Sequence, residues 1–291
     1  GTDLYTLNQE TGKWEYVNTA RPQEKNFKAD SIQSKVYVEH LDGEMHEYML
    51  YLPLYDGVNW VQIGVDSTAQ LIQPQVENPR KMGKIVLYGT SIQQGGCASR
   101  VGMVPSAMIQ REYNLECVNL ATSGQARMDF YIAEALASIE DAICYVIDPV
   151  PNCTKDRCDT ATYDFIKILR TLRPEVPIIM VEGLMYPYTR HSSYHAEYLP
   201  QKNEGFRRGY ELHKAENPKG LYYMTHDGQT GPEMEGTVDG VHLTDYGFRA
   251  YADILEIFIK KALDKTGVKY NLTPTCAIVQ EKAIKKQLRN K

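Results

Sequence analysis

"KIVLYGTSIQQGG", residues 84–96, decides how the chain is read. Ile85, Val86, Leu87 and Tyr88 make a short unbroken apolar run, the pattern of a strand buried on both faces. Gly89 and Thr90 then deliver Ser91 at the strand's end, just ahead of a glycine-rich loop. A serine in that place is a turn residue, a phosphate-cradle hydroxyl or a nucleophile. The rest of the chain has to choose among the three.

Four further runs of the same kind follow: "LECVNLA", "ICYVIDPV", "PIIMVEGL" and "LYYMTH". Between them stand helix-like stretches, "MVPSAMIQREY", "DFYIAEALASIEDA", "TATYDFIKILRTLR" and "NEGFRRGYELHKAE". A last helix, "TDYGFRAYADILEIFIKKALD", has Thr244 as its N-cap. Strand–helix alternation predicts a parallel sheet covered on both faces. Residues 1–76 have another rhythm. "DLYTLNQ", "KWEYVNT", "KVYVEH", "HEYMLYLPL" and "WVQIGVD" alternate in a β manner between Gly-containing turns, so a small, partial antiparallel β domain is expected there. The second domain spans 77–270 and a basic tail 271–291.

Bulk composition sets bounds. With 43% hydrophobic and 24% charged residues among 291, the chain is an ordinary globular one. A net charge of −5 argues against a general affinity for nucleic acid, and no apolar run approaches the roughly 20 residues of a membrane span. No signal peptide opens the sequence, which begins "GTDLYTLNQ". Six cysteines are scattered without a CxxC pair, and Cys153 and Cys158 either close a short disulfide or sit reduced.

In an open parallel sheet, ligands bind beyond the carboxyl ends of the strands. That rim receives Ser91, then Gly124 in "NLATSGQARMD", then Asn152 in "DPVPNC". "TVDGVHLTDYG" adds Asp239 and His242, three positions apart. These are parts for acyl transfer. A serine hydroxyl needs a base to take its proton, histidine suits that task, and a carboxylate on the other ring nitrogen fixes the tautomer. Backbone N–H groups of Ser91 and Gly124 with the Asn152 amide would hold an oxyanion. The phosphate reading fails on spacing, because neither GxxxxGK[ST] nor GxGxxG is present. The GxSxG elbow is absent too, since Gln93 occupies its second glycine.

"YGTSIQQGG", "NLATSGQA", "VPN" and "DGVHLTDYG" together resemble the ordered blocks of the SGNH (GDSL-type) hydrolases over residues 84 to about 265. The resemblance implies a flavodoxin-like three-layer α/β/α sandwich with a central five-stranded parallel sheet. It implies Ser91 as nucleophile, Asp239 and His242 as its partners, and Ser91, Gly124 and Asn152 as the oxyanion hole. "GGCASRVGM" and "EGTVDGVHLTDYGF" look closer to a bacterial two-domain subgroup with an N-terminal β-sandwich. For that subgroup the resemblance implies export to the periplasm or exterior and acetyl esters on carbohydrates as substrates. It implies no cofactor and no metal. Thr90 stands where aspartate is usual, Gln125 where Asn or Asp is usual, and Leu243 where proline is frequent. A thioesterase, a lipid acylhydrolase and a non-catalytic carbohydrate-binding protein remain as alternatives.

Arg100, Gln125 and Arg127, in or beside the motif blocks, are candidates to meet a polar substrate group. "YPYTRHSSYHAEY", residues 186–198, puts Tyr186 and Tyr188 in an aromatic wall beside the site or in a loop packed on the β domain. Its His191 and His195, four apart, lack a third metal ligand.

Overall fold

The computed structural model describes residues 1–21, 34–76, 78–268 and 270. The expected tail 271–291 and Cys276 lie outside the described residues. The chain divides into two compact units, Gly1–Asn78 with Arg100–Gly102, and Pro79–Ser99 with Met103–Lys291.

In the larger unit the five apolar runs become β4 (Lys84–Gly89), β5 (Glu116–Asn119), β6 (Ala142–Asp148), β7 (Ile178–Val181) and β8 (Leu221–Met224). They form one parallel sheet in the order β5-β4-β6-β7-β8. Helices α1 (Ser91–Gln94), α2 (Pro105–Tyr113), α3 (Phe130–Ala137), α4 (Lys155–Leu172), α5 (Ser193–Glu216) and α6 (Asp245–Leu263) connect them. Because side chains alternate along each strand, the sheet builds two separate cores. Ile85, Leu87, Val146 and Ile179 pack with Ile109 of α2 and with Phe248 and Ile254 of α6. Val86, Tyr88, Ile147 and Met180 pack with Leu136 of α3, Phe165 of α4 and Phe206 of α5. Both faces are therefore covered, which is why the strands read as continuous apolar runs. The strand order is the flavodoxin-like one, with its reversal between β4 and β6. Ligand sites in such sheets open at that reversal, so the ends of β4 and β6 are where chemistry is expected.

The smaller unit holds a three-stranded antiparallel sheet, β2-β1-β3, from β1 (Thr2–Asn8), β2 (Lys13–Ala20) and β3 (Tyr48–Tyr51). Asn8 Oδ1 accepts from the N–H groups of Glu10 and Thr11, which turns the chain back from β1 to β2. Tyr5 is buried edge-on between Tyr16 and Tyr51. The strands expected at 35–40 and 60–66 are not formed. Alternation gives a segment one apolar face, yet a strand also needs a ladder partner. Trp60, Val61, Ile63 and Val65 all stay exposed without one among the described residues. Among the described residues no helix is long and apolar enough to cross a membrane.

Candidate active site

Ser91 is the first residue of α1, a single helical turn that starts where β4 ends. Thr90 caps it, its hydroxyl accepting from the Ile92 N–H at 3.3 Å, and Gly95 ends it in a left-handed conformation. The helix is only four residues long. The Ser91 hydroxyl stands 2.9 Å from Nε2 of His242. His242 Nδ1 stands 2.8 Å from Oδ2 of Asp239. Oδ1 of Asp239 accepts from the backbone N–H groups of His242 at 2.7 Å and Val241 at 2.9 Å. The hydrogen bonds from the His242 ring and backbone lower the Asp239 pKa to about 2. An ionised carboxylate only accepts, so Nδ1 carries the imidazole proton, and Nε2 is left to accept from Ser91.

Local backbone geometry makes this pairing possible. A bridge between Thr237 and Leu243, with Val238 N–H donating to His242 O at 2.8 Å, closes the loop that holds Asp239 and His242. Leu243 is fully buried and pins the loop to the core, and Thr244 caps α6 immediately after it. The glycine of "DYG" has its own reason. A Cβ on Gly247 would sit 2.1 Å from the Gly236 carbonyl oxygen, so the start of α6 lies directly against the loop's backbone. Ser99 N–H also donates to Asp245 at 2.9 Å, joining the segment after α1 to the start of α6.

Gly124 is exposed in a left-handed turn, φ +72°, closed by Gln125 N–H donating to Thr122 O. Thr122 N–H donates to Gly89 O at 2.9 Å and keeps this loop beside the end of β4. Asn152 ends a short 3₁₀ turn, Val150–Asn152, after β6, and its buried Oδ1 has no partner among the described residues. Lys202 of α5 donates to the carbonyl of the preceding Pro151 at 3.1 Å. Cys153 and Cys158 are free, buried thiols in hydrogen-bond contact, and Cys153 also donates to Ala126 O at 3.6 Å.

Of the other candidates, Arg127 lies beside the site, with Nε donating to Gly124 O at 3.2 Å. Gln125 is exposed on the same turn. Tyr188 packs over Gly240, where an added Cβ would come within 3.0 Å of its ring, and Tyr186 lies against Tyr188 at 5.4 Å. Burial first, then Tyr188 and the Asp239 carboxylate, raise the Tyr186 pKa. His195 continues this aromatic cluster toward Tyr194, which is 62% exposed, and its Nδ1 meets the Ser192 hydroxyl at 2.8 Å. The Arg100 guanidinium donates to buried Asp3 at 3.0 Å and to Tyr5, over the ring of Tyr16, and so belongs with the smaller unit. Gln94 and Lys202 reach the site's loops through contacts that the motif blocks did not reveal. The spacing of Gln94 from Ser91, nearly one helical turn, was the only signal for it.

Residues 82–260 match the GDSL-like lipase/acylhydrolase family, and residues 1–71 match the N-terminal module of SGNH-hydrolase-type esterases. A crystal structure from Bacteroides ovatus ATCC 8483, described as a GDSL-like lipase, superposes with a TM-score of 0.82 at 34% identity. That match covers 93% of this chain and 76% of the other. A salicylyl-acyltransferase from a tetracycline biosynthetic pathway superposes with a TM-score of 0.58 at 15% identity, over 92% of this chain and 73% of the other, and shares the fold. No curated protein matches the chain.

Proposed function

Because the chain belongs to the GDSL-like lipase/acylhydrolase family, we propose that it is a serine esterase that cleaves short acyl esters through an acyl-enzyme. The observation that carries this reading is the hydrogen-bonded chain Ser91–His242–Asp239. Ser91 Oγ attacks the ester carbonyl carbon while His242 Nε2 takes its proton. The tetrahedral oxyanion is held by the N–H groups of Ser91 and Gly124 and by the Asn152 amide. Collapse expels the alcohol, which receives the proton from His242. Water then attacks the acyl-Ser91 ester while His242 takes the water's proton, and His242 returns that proton to Ser91 Oγ as the carboxylic acid leaves. Asp239 holds the imidazole in the required tautomer and stabilises the imidazolium.

These residues all fall within 77–270, the segment we assign as the catalytic domain. An acetyl group on a carbohydrate is the substrate we favour. The exposed rings of Tyr188 and Tyr194, near the turn that carries Asp239, support it by offering flat faces with polar rims. We assign Arg127 and Gln125, both exposed beside Gly124, to contacts with substrate hydroxyls.

The test is hydrolysis of p-nitrophenyl acetate by wild type and Ser91→Ala, with fluorophosphonate labelling of both. Wild type hydrolyses and labels, while Ser91→Ala does neither. Hydrolysis that survives the substitution removes Ser91 from the chemistry. A panel of acetylated sugars, acyl thioesters and long-chain lipid esters then ranks the substrates by kcat/KM.

A further inference from the structure

Gly124 follows Ser123, and both donors of Ser123 go to one acceptor. Its backbone N–H and its hydroxyl reach Oε1 of Gln94 at 2.8 and 2.9 Å. Gln94 is the last residue of α1, three beyond Ser91, and its own N–H is held by Thr90 O at 2.9 Å. One side chain therefore joins the helix that carries Ser91 to the loop that carries Gly124. We infer that Gln94 is a positioning residue for the reaction, setting the gap between the Ser91 and Gly124 N–H groups. The inference rests on the reading of Gly124 as an oxyanion donor.

Thr122 N–H, bonded to Gly89 O at 2.9 Å, ties the near side of the loop to the end of β4, and other restraints come from elsewhere. Arg157 of α4 donates to Arg127 O and Met128 O, both at 2.8 Å, and Met128 N–H donates to the Tyr88 hydroxyl at 3.1 Å. These hold the far side of the loop to α4 and β4. Among these contacts only Gln94 reaches it from α1, and it does so one residue before the glycine. An amide oxygen suits the task because it has two lone pairs for the two donors and carries no net charge. A carboxylate there would oppose the negative charge that develops on the substrate. Oxyanion donors act through preorganised distance, so a brace that lets the loop drift weakens the transition state more than the ground state.

The test uses Gln94→Met, which fills the same space without a comparable acceptor, and Ser123→Ala, singly and together. Gln94→Met lowers kcat on p-nitrophenyl acetate by about 10- to 100-fold with KM within about twofold. Ser123→Ala, which removes one of two bonds, lowers it by about 3- to 10-fold. The double variant is no slower than Gln94→Met, since both changes act through one contact. Amide exchange at Ser123 and Gly124 quickens in Gln94→Met while β4 stays protected and the melting temperature holds. Wild-type kcat in Gln94→Met overturns the inference, as does a loss confined to KM or matched by a fall in melting temperature. If Ser91→Ala hydrolyses as well as wild type, the esterase assignment of Ser91 fails separately. The exchange data then decide the brace, and unchanged exchange overturns it.

Discussion

The Asp239–His242 and Glu182–His226 pairs of the larger unit are built alike. Asp239 accepts from the ring Nδ1 and the backbone N–H of His242. Glu182, at the end of β7, accepts from the ring Nδ1 of His226 at 2.8 Å and its backbone N–H at 3.1 Å. Both carboxylates have lowered pKa values. For Glu182, burial pulls upward, and hydrogen bonds from His226 and Arg207 outweigh it. The surroundings then diverge. Asp239 is 49% exposed, and the far nitrogen of its histidine meets a serine. Glu182 is completely buried and also accepts from Arg207 and from the Tyr223 hydroxyl at 2.9 Å. The acid–histidine unit is thus no signature of catalysis. What stands on the second ring nitrogen, and how many other donors share the carboxylate, separate the relay proposed for Asp239 from the structural tie at Glu182.

Substitution should separate the pairs by what is lost. Asp239→Asn presents an amide where Nδ1–H needs an acceptor, and kcat on p-nitrophenyl acetate falls by about 10³- to 10⁴-fold with little change in melting temperature. Equal damage from Glu182→Gln without loss of stability would erase the distinction. Instead Glu182→Gln leaves Arg207 and His226 facing a mismatched amide and costs about 3 kcal/mol. Differential scanning calorimetry would read roughly 6–12 °C in melting temperature, with kcat per folded molecule within about tenfold of wild type.

Asp148 sharpens the contrast, because it is buried like Glu182 but has no cationic partner beside its carboxyl among the described residues. It ends β6, and its carboxyl accepts from the Tyr251 hydroxyl at 2.9 Å. Burial raises its pKa well above 3.8. The two acids therefore depend on pH in opposite senses. Glu182, depressed in the fold, contributes stability above the unfolded carboxyl pKa, and that contribution is lost as pH falls through its folded value. Asp148, raised in the fold, costs nothing below pH 3.8 and progressively more above it, as the unfolded chain alone releases the proton. Asp148→Asn removes that cost while keeping an acceptor for Tyr251. It raises stability at pH 7 by about 1 kcal/mol, and the gain vanishes below about pH 4 in urea titrations. A gain that is the same at both pH values would mean that Asp148 is ionised in the fold.

How much of this was legible depended on sequence distance. The five buried strands were, because a strand covered on both faces needs no partner to reveal it. Asp239 and His242 were, because they meet within one turn. Glu182 and His226 lie 44 positions apart and Gln94 and Ser123 29 apart, so only the folded sheet brings either pair together. The apolar stretch 60–66 shows the reverse failure. Its alternation is clear, yet a strand is defined by its neighbour, and none of the described residues supplies one. Arg100's partner was hidden for a related reason. Arg100 stands beside the serine block in sequence, and buried Asp3 takes its charge.

Ser91 and His242 are separated by 151 residues, and the base arrives with the helix that completes the sheet's cover. A ribosome adds about 5–20 residues each second, so the hydroxyl is synthesised roughly 8–30 s before its base. Through that interval the nascent chain carries a serine with nothing to deprotonate it and is chemically mute. On the role proposed for Ser91, reactivity switches on only when α6 docks, which makes a serine-directed probe a clock for that docking.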